Sequence, residues 1–202
     1  MNNPAAATTT LVHLLRCLAI ASLPLALPLA AMAADAPMAG HDHMHATQEN
    51  ASSPLAAKVR GATRQYRDIN VAMKEGWVQA TPCVSSPNEG AMGVHFVKPE
   101  RIHDGVLKAD EPEMLIYEPQ PGGKYRLVGV EYIVLASEWA AKNQPGVAPS
   151  VDGHLTNFVG EPNRYALPAF HEMHVWAWQD NPNGTFADFN SQVSCAKQAS
   201  AN

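Results

Sequence analysis

Glu131 stands inside an apolar run, Leu127 to Leu135. A carboxylate there is costly to bury unless it is paired, hydrogen-bonded or bound to a cation. His95 and His174 occupy comparable stretches, Gly90 to Val97 and His171 to Gln179. Two imidazoles and one carboxylate make a ligand set for zinc or non-haem iron, and imidazoles also suit copper. The same trio could do acid–base chemistry, with Glu131 a general base of raised pKa and His95 or His174 the partner acid. No short-spaced motif joins the three. The blander reading is that Glu131 bonds a tyrosine or a backbone group while both histidines are half-buried sheet residues. Convergence decides between these.

A second ligand set lies near the N-terminus, where His41, His43 and His45 alternate with Asp42 and Met44 and follow Met38. Imidazole with thioether suits copper, and short His-rich tracts bind metals. Unanchored ligands of this kind scavenge an ion but cannot hold a fixed geometry. The alternative is a solubilising linker. Other chemistry has little support. There is no G-x-S-x-G, and Ser85-Ser86 has no base at fixed spacing. Gly122-Gly123 is a turn, not a phosphate loop, and His171-Glu-Met-His174 lacks the four-residue helical step of H-E-x-x-H. His103 and His154 fall in loop-like stretches.

The elements that must position these residues belong to a chain of 202 residues, 46% apolar and 16% charged, with a formal charge of −5. Basic residues form no block, which argues against a nucleic-acid partner. Sixteen prolines and thirteen glycines argue for many turns and against an all-helical architecture. Residues 1–34 read as a secretory signal peptide: Arg16, then the apolar run 17–31, then Ala31-Met32-Ala33. That run is short of the roughly 20 residues a membrane span takes. Cleavage removes Cys17 and leaves Cys83 and Cys195. An even count in an exported chain predicts a disulfide and a periplasmic location, against free thiols or metal ligands. The pair is not C-x-x-C, so a thioredoxin-like role is not indicated.

Residues 35–53 lack periodicity and large apolar groups and read as a disordered His- and Met-containing tail. From 54 to 202 the pattern predicts a single α+β domain, a mainly antiparallel sheet with one long N-terminal helix and a short second one. Ser53-Pro54 caps the first, which carries the stripe Val59, Ala62, Tyr66, Ile69 and Met73 and ends at Gly76. Alternation predicts strands over 90–97, 114–117, 124–136 and 171–179, with a short helix over 137–142. In the first strand Met92, Val94 and Phe96 face away from His95. In the third, Leu127, Gly129, Glu131, Ile133 and Leu135 share a face. In the last, Glu172, His174, Trp176 and Trp178 do. Asn181-Pro-Asn-Gly184 is a turn leading into Thr185 to Phe189.

The segments GAMGVHFV (90–97), RLVGVEYIV (126–134), HVWAWQDNPNGTFADFN (174–190) and VSC (193–195) together resemble a group of exported bacterial proteins of unassigned function. The resemblance covers the chain from about the first helix to Cys195. His95, Glu131, His174, Trp176 and the Asn181–Gly184 turn recur in it; His171 stands where tyrosine is expected, and Phe189 where tryptophan is. It implies the signal peptide and the domain limits, and no activity.

Three functions follow as expectations. The first is a non-catalytic periplasmic domain binding a metal ion, copper foremost and otherwise zinc or iron, or a small ligand, with no membrane attachment after signal cleavage. The second is a small enzyme using Glu131 with His95 and His174. The third is an interaction module presenting Trp176 and Trp178.

Overall fold

A computed structural model describes residues 53–198. The signal segment and the tail with His41, His43, Met44 and His45 lie outside the described residues. Helices are α1 (Pro54–Thr63), α2 (Ile69–Lys74), α3 (Pro99–Ile102) and α4 (Ala136–Lys142). Strands are β1 (Val78–Gln79), β2 (Val84–Ser86), β3 (Gly90–Val97), β4 (Met114–Gln120), β5 (Lys124–Leu135), β6 (Ser150–Val151), β7 (His154–Leu155), β8 (Asn157–Val159) and β9 (Phe170–Val175). An antiparallel sheet runs β1-β3-β4-β5-β9-β8, with β2 also pairing β3, and β6 and β7 form a separate hairpin. The fold is α+β. No helix among the described residues is long and apolar enough to cross a membrane.

The long first helix is not continuous. Ser53 caps α1 by accepting the Ala56 N–H, with Pro54 in the first turn. The chain tightens into a 3₁₀ turn over Arg64–Arg67, and Asp68 leaves helical geometry at φ −93°, ψ 110°. The Asp68 carboxylate then accepts the Asn70 N–H and caps α2 as a separate helix. This break rotates the buried stripe. Ala72 is fully buried where Met73 was expected, and Met73 is 49% exposed.

One face of the sheet packs on α1 and the turn after it. Val94, Phe96, Leu115, Tyr117, Val130 and Tyr132 join Leu55 and Val59 of α1 in one continuous cluster. On the opposite face two apolar clusters stand apart. Ala91, Ile116, Val128, Trp176 and Val193 form one, and Val97, Met114, Ile133, Leu135 and Phe170 form the other. The first lies under the C-terminal segment, which Ala91 and Asn190 stitch to β3 with reciprocal backbone bonds of 3.1 Å. A Cβ on Gly90 would come 2.1 Å from the Asn190 carbonyl oxygen, so only glycine fits there. Cys83 and Cys195 are joined as a disulfide, fastening the same segment at its end.

Three face assignments from alternation need correction, each for a local reason. Ile116 pairs Gly129 but Tyr117 pairs Leu127, leaving Val128 as an extra residue. Such a bulge reverses the alternation, so Leu127 joins the helix-side cluster while Gly129 and Glu131 remain opposite. A register shift at Val84/Ser85 likewise displaces Met92, whose sulfur lies 3.7 Å from the Tyr165 hydroxyl on the far side. Finally, β9 ends at Val175. Beyond it Trp178 swings to the helices and donates to the Thr63 hydroxyl at 3.0 Å, with Arg67 over its ring at 5.3 Å. Trp176 stays opposite, 1% exposed. The two tryptophans form no joint surface.

Candidate metal centre

His95, Glu131 and His174 come from β3, β5 and β9, and all three are buried. Glu131 and His174 are cross-strand partners. His95 reaches them across β4, since its own partner is Ile116 and Ile116 pairs Gly129. The missing side chain of Gly129 matters locally. A Cβ there would stand 2.8 Å from the Val175 carbonyl oxygen and 3.5 Å from the Trp176 ring. One donor atom from each of His95, Glu131 and His174 lies within 4.8 Å of the other two.

The contacts around the trio are directional. His95 Nε2 is 3.4 Å from Glu131 Oε2, while its Nδ1 is 3.1 Å from the Thr81 hydroxyl. Thr81 can accept from Nδ1–H or donate to a bare Nδ1, and so serves either tautomer. His174 is more constrained. Its Nδ1 lies 3.0 Å from Glu172 Oε2, and a carboxylate only accepts, so Nδ1 carries a hydrogen. Asn157 of β8 donates to the other Glu172 oxygen at 3.2 Å. Asp188 stands 3.9 Å from Nδ1. Glu172, His174 and Asp188 also bring donor atoms within 4.8 Å of one another. The remaining nitrogen, His174 Nε2, is buried without a hydrogen-bond partner among the described residues, as is the Trp77 indole nitrogen on the helix side of the sheet. Buried polar nitrogens are nearly always satisfied, so the histidine nitrogen asks for an explanation.

Electrostatics follow the same layout. Burial and the neighbouring His174 push the His95 imidazole down to about 3, so it stays neutral and keeps a lone pair. Burial pushes Glu131 up to about 7, against the pull of His174 and with added repulsion from Glu172 and Asp188. Burial alone would depress His174; Glu131, the Glu172 bond and Asp188 outweigh it and hold the ring up to about 9. Burial also opposes ionisation of Glu172, but the hydrogen bond and charge of His174 win and keep its carboxyl below the usual range. Without a cation, three acidic groups therefore lean on one imidazolium.

Comparison of the chain with protein-family models, with curated proteins and with solved structures finds no match. The site must be read from its own chemistry. Two imidazoles and a carboxylate, each imidazole anchored through its far nitrogen by an oxygen group, have the layout of a metal site with supporting partners. The Glu172–His174 pair in particular places a carboxylate behind a histidine whose other nitrogen has no partner among the described residues. Glu172 could be placed beside His174 from alternation alone, though with no role assigned. Thr81 and Asp188 come from loops, where no periodic signal marks them.

Proposed function

We propose that this chain is an exported metal-binding domain whose resident site is His95, Glu131 and His174. One observation carries the reading: His174 Nε2 is buried and unpartnered while its Nδ1 is held by Glu172. A cation would satisfy that nitrogen and neutralise the surrounding carboxylates. The spacing fits, because donors within 4.8 Å of one another can share an ion at bonds of about 2.0–2.2 Å. Ligands bind only in their unprotonated forms, so uptake releases protons from His174 and Glu131. Copper is the favoured ion. Among divalent first-row ions it binds such nitrogen and oxygen sites most tightly, and the His/Met tail offers copper ligands as well. The leader-like segment 1–34 and the Cys83–Cys195 bridge support export to an oxidising compartment.

The test is metal content and titration of protein made without an affinity tag. Wild type should hold one tight ion beyond whatever the tail binds. Glu131→Gln keeps the shape but removes the charge, and should lose that ion while the protein stays folded. Replacing His41, His43 and His45 by alanine should leave the tight ion in place. If Glu131→Gln binds metal as wild type does, the site is a structural hydrogen-bond network. It would then alter stability only, by about 1–3 kcal/mol.

A further inference from the structure

A cavity of about 540 Å³ opens on the site side of the sheet, and His95 and Glu131 form part of its lining. His174 is not in that lining; it lies behind, against Glu172. An ion held by the trio would therefore have its protein ligands on the sheet side. Three ligands leave a position open on such an ion, and here that position would face the cavity. The other walls are mostly aliphatic: Val84, Val97, Ile102, Met114, Ile133 and Leu167, closed by Phe170. Volumes of roughly 300–1,000 Å³ with apolar walls and a few converging polar groups are typical of small-molecule sites. At the rim stand exposed Arg164 and half-buried Tyr165, with the guanidinium 5.9 Å over the ring. The Tyr165 hydroxyl donates to the Met92 thioether, a weak acceptor, at 3.7 Å. A larger cleft of about 740 Å³ beside Arg67 and Trp77 is lined by none of the residues of the candidate metal clusters.

We propose that this cavity binds a medium-chain monocarboxylate, its carboxylate on the open face of the ion and its chain along the aliphatic wall. The head must be anionic because a divalent ion with one ligating carboxylate retains positive charge, and the rim adds Arg164. The tail is aliphatic because the wall is. Tyr165 donates its hydroxyl to the bound carboxylate in place of the thioether. This assignment rests on the metal reading above.

The experiment uses the full chain with His41, His43 and His45 changed to alanine, so that only the core site takes up metal, and zinc as a redox-inert ion. Decanoate is titrated calorimetrically into zinc-loaded and metal-free protein, with acetate as the head without a tail. Decanoate should bind the zinc form at least tenfold more tightly than the metal-free form, with a negative heat-capacity change from apolar burial. Acetate should bind at least tenfold more weakly than decanoate. Ala80 lines the cavity and is exposed, so Ala80→Trp should block decanoate while zinc content stays unchanged. Leu167→Trp, on the opposite loop, should do the same if Ala80→Trp fails to fold. Zinc-loaded protein that ignores decanoate overturns the inference and leaves the metal reading intact. Equal decanoate binding with and without zinc overturns the placement of the head. A chain that takes up no zinc in the core overturns both.

Discussion

The two faces of this sheet are built from alternate residues of the same strands, yet they solve burial differently. On the helix side, Val130 and Tyr132 of β5 sit in one apolar cluster, and its buried hydroxyls are satisfied locally. Tyr117 donates to the Tyr66 carbonyl and Tyr132 to the Ala109 carbonyl, each at 2.6 Å. On the other side Glu131 follows Val130 directly and lies between two apolar clusters that do not merge. There His95, Glu131, Glu172 and His174 are as buried as the tyrosines, but their bonds do not close, and His174 Nε2 is left over. Among the described residues the first face leaves over only the Trp77 indole N–H, a donor with no lone pair to offer a cation. The second leaves over a histidine nitrogen that can hold one, and this difference separates folding from function.

The largest effect should come from the bridge that fastens the C-terminal segment over the second face. Cys83 and Cys195 are 112 positions apart. Closing a loop of about 100 residues is worth roughly 4–5 kcal/mol in the chain-entropy model. Changing both to alanine should lower urea-unfolding stability by about that much. A loss under about 1 kcal/mol would mean that the segment holds itself by its other contacts. Next comes the first face. Leu115 is fully buried in the helix-side cluster, so Leu115→Ala should cost about 2–5 kcal/mol. The folded fraction should still bind metal with unchanged affinity. If affinity falls as well, the two faces are coupled and do not divide folding from function.

How much of this was legible beforehand depended on whether the signal was periodic. The β5 alternation exposed Glu131 as the misfit of an apolar strand, and His95 and His174 followed from the same pattern. Alternation failed at Val128 and Met92, where one extra residue reverses the faces; the adjacent Gly129 and Gly93 are the residue type that accompanies bulges, but a period of two does not read them. It also failed at Asp68, whose carboxylate caps a new helix inside a stripe that reads as unbroken. The short strands β1, β2 and β8 carry two or three residues each, too few for any period to show. Convergence itself could not be read, because it depends on β4 inserting between β3 and β5 and on β9 pairing the far edge of β5.

Glu113 gives a pH-dependent test beside the site rather than in it. Strand β4 begins at Met114, opposite Glu131, so the Ile133 N–H lies beyond its end. The Glu113 carboxyl accepts that N–H at 3.1 Å, and burial pushes its pKa up to about 9. A carboxyl raised in the folded state holds its proton there after the unfolded chain has released its own. Stability is therefore retained below the unfolded value near 4.5 and falls as pH rises from there towards 9. Glu113→Gln keeps an acceptor for Ile133 and has nothing to ionise. It should flatten this slope and gain roughly 1–3 kcal/mol at pH 8 relative to wild type. Thermal melts from pH 5 to 9 would show it, and parallel profiles for the two proteins would refute the assignment.

The smallest and most specific effect belongs to Glu172, which touches His174 on the side away from the proposed ion. Glu172→Gln preserves an oxygen that can accept the Nδ1–H, so the ring keeps its orientation and Nε2 still faces the site. What is lost is the charge that makes the imidazole a better donor. Removing such supporting carboxylates weakens metal sites by about 10–100-fold. With the hydrogen bond retained, the low end applies: about tenfold, or roughly 1.4 kcal/mol. Stability of the metal-free protein should change less, because the substitution removes one of the carboxylates crowded around His174 as well as a partner of its charge. Glu172→Ala frees Nδ1 altogether and should fall further, towards a hundredfold. Competition titrations against a chelator of known affinity would resolve the three proteins. If all three bind alike while their melting temperatures differ, Glu172 serves the fold, and the second face is a packed core like the first.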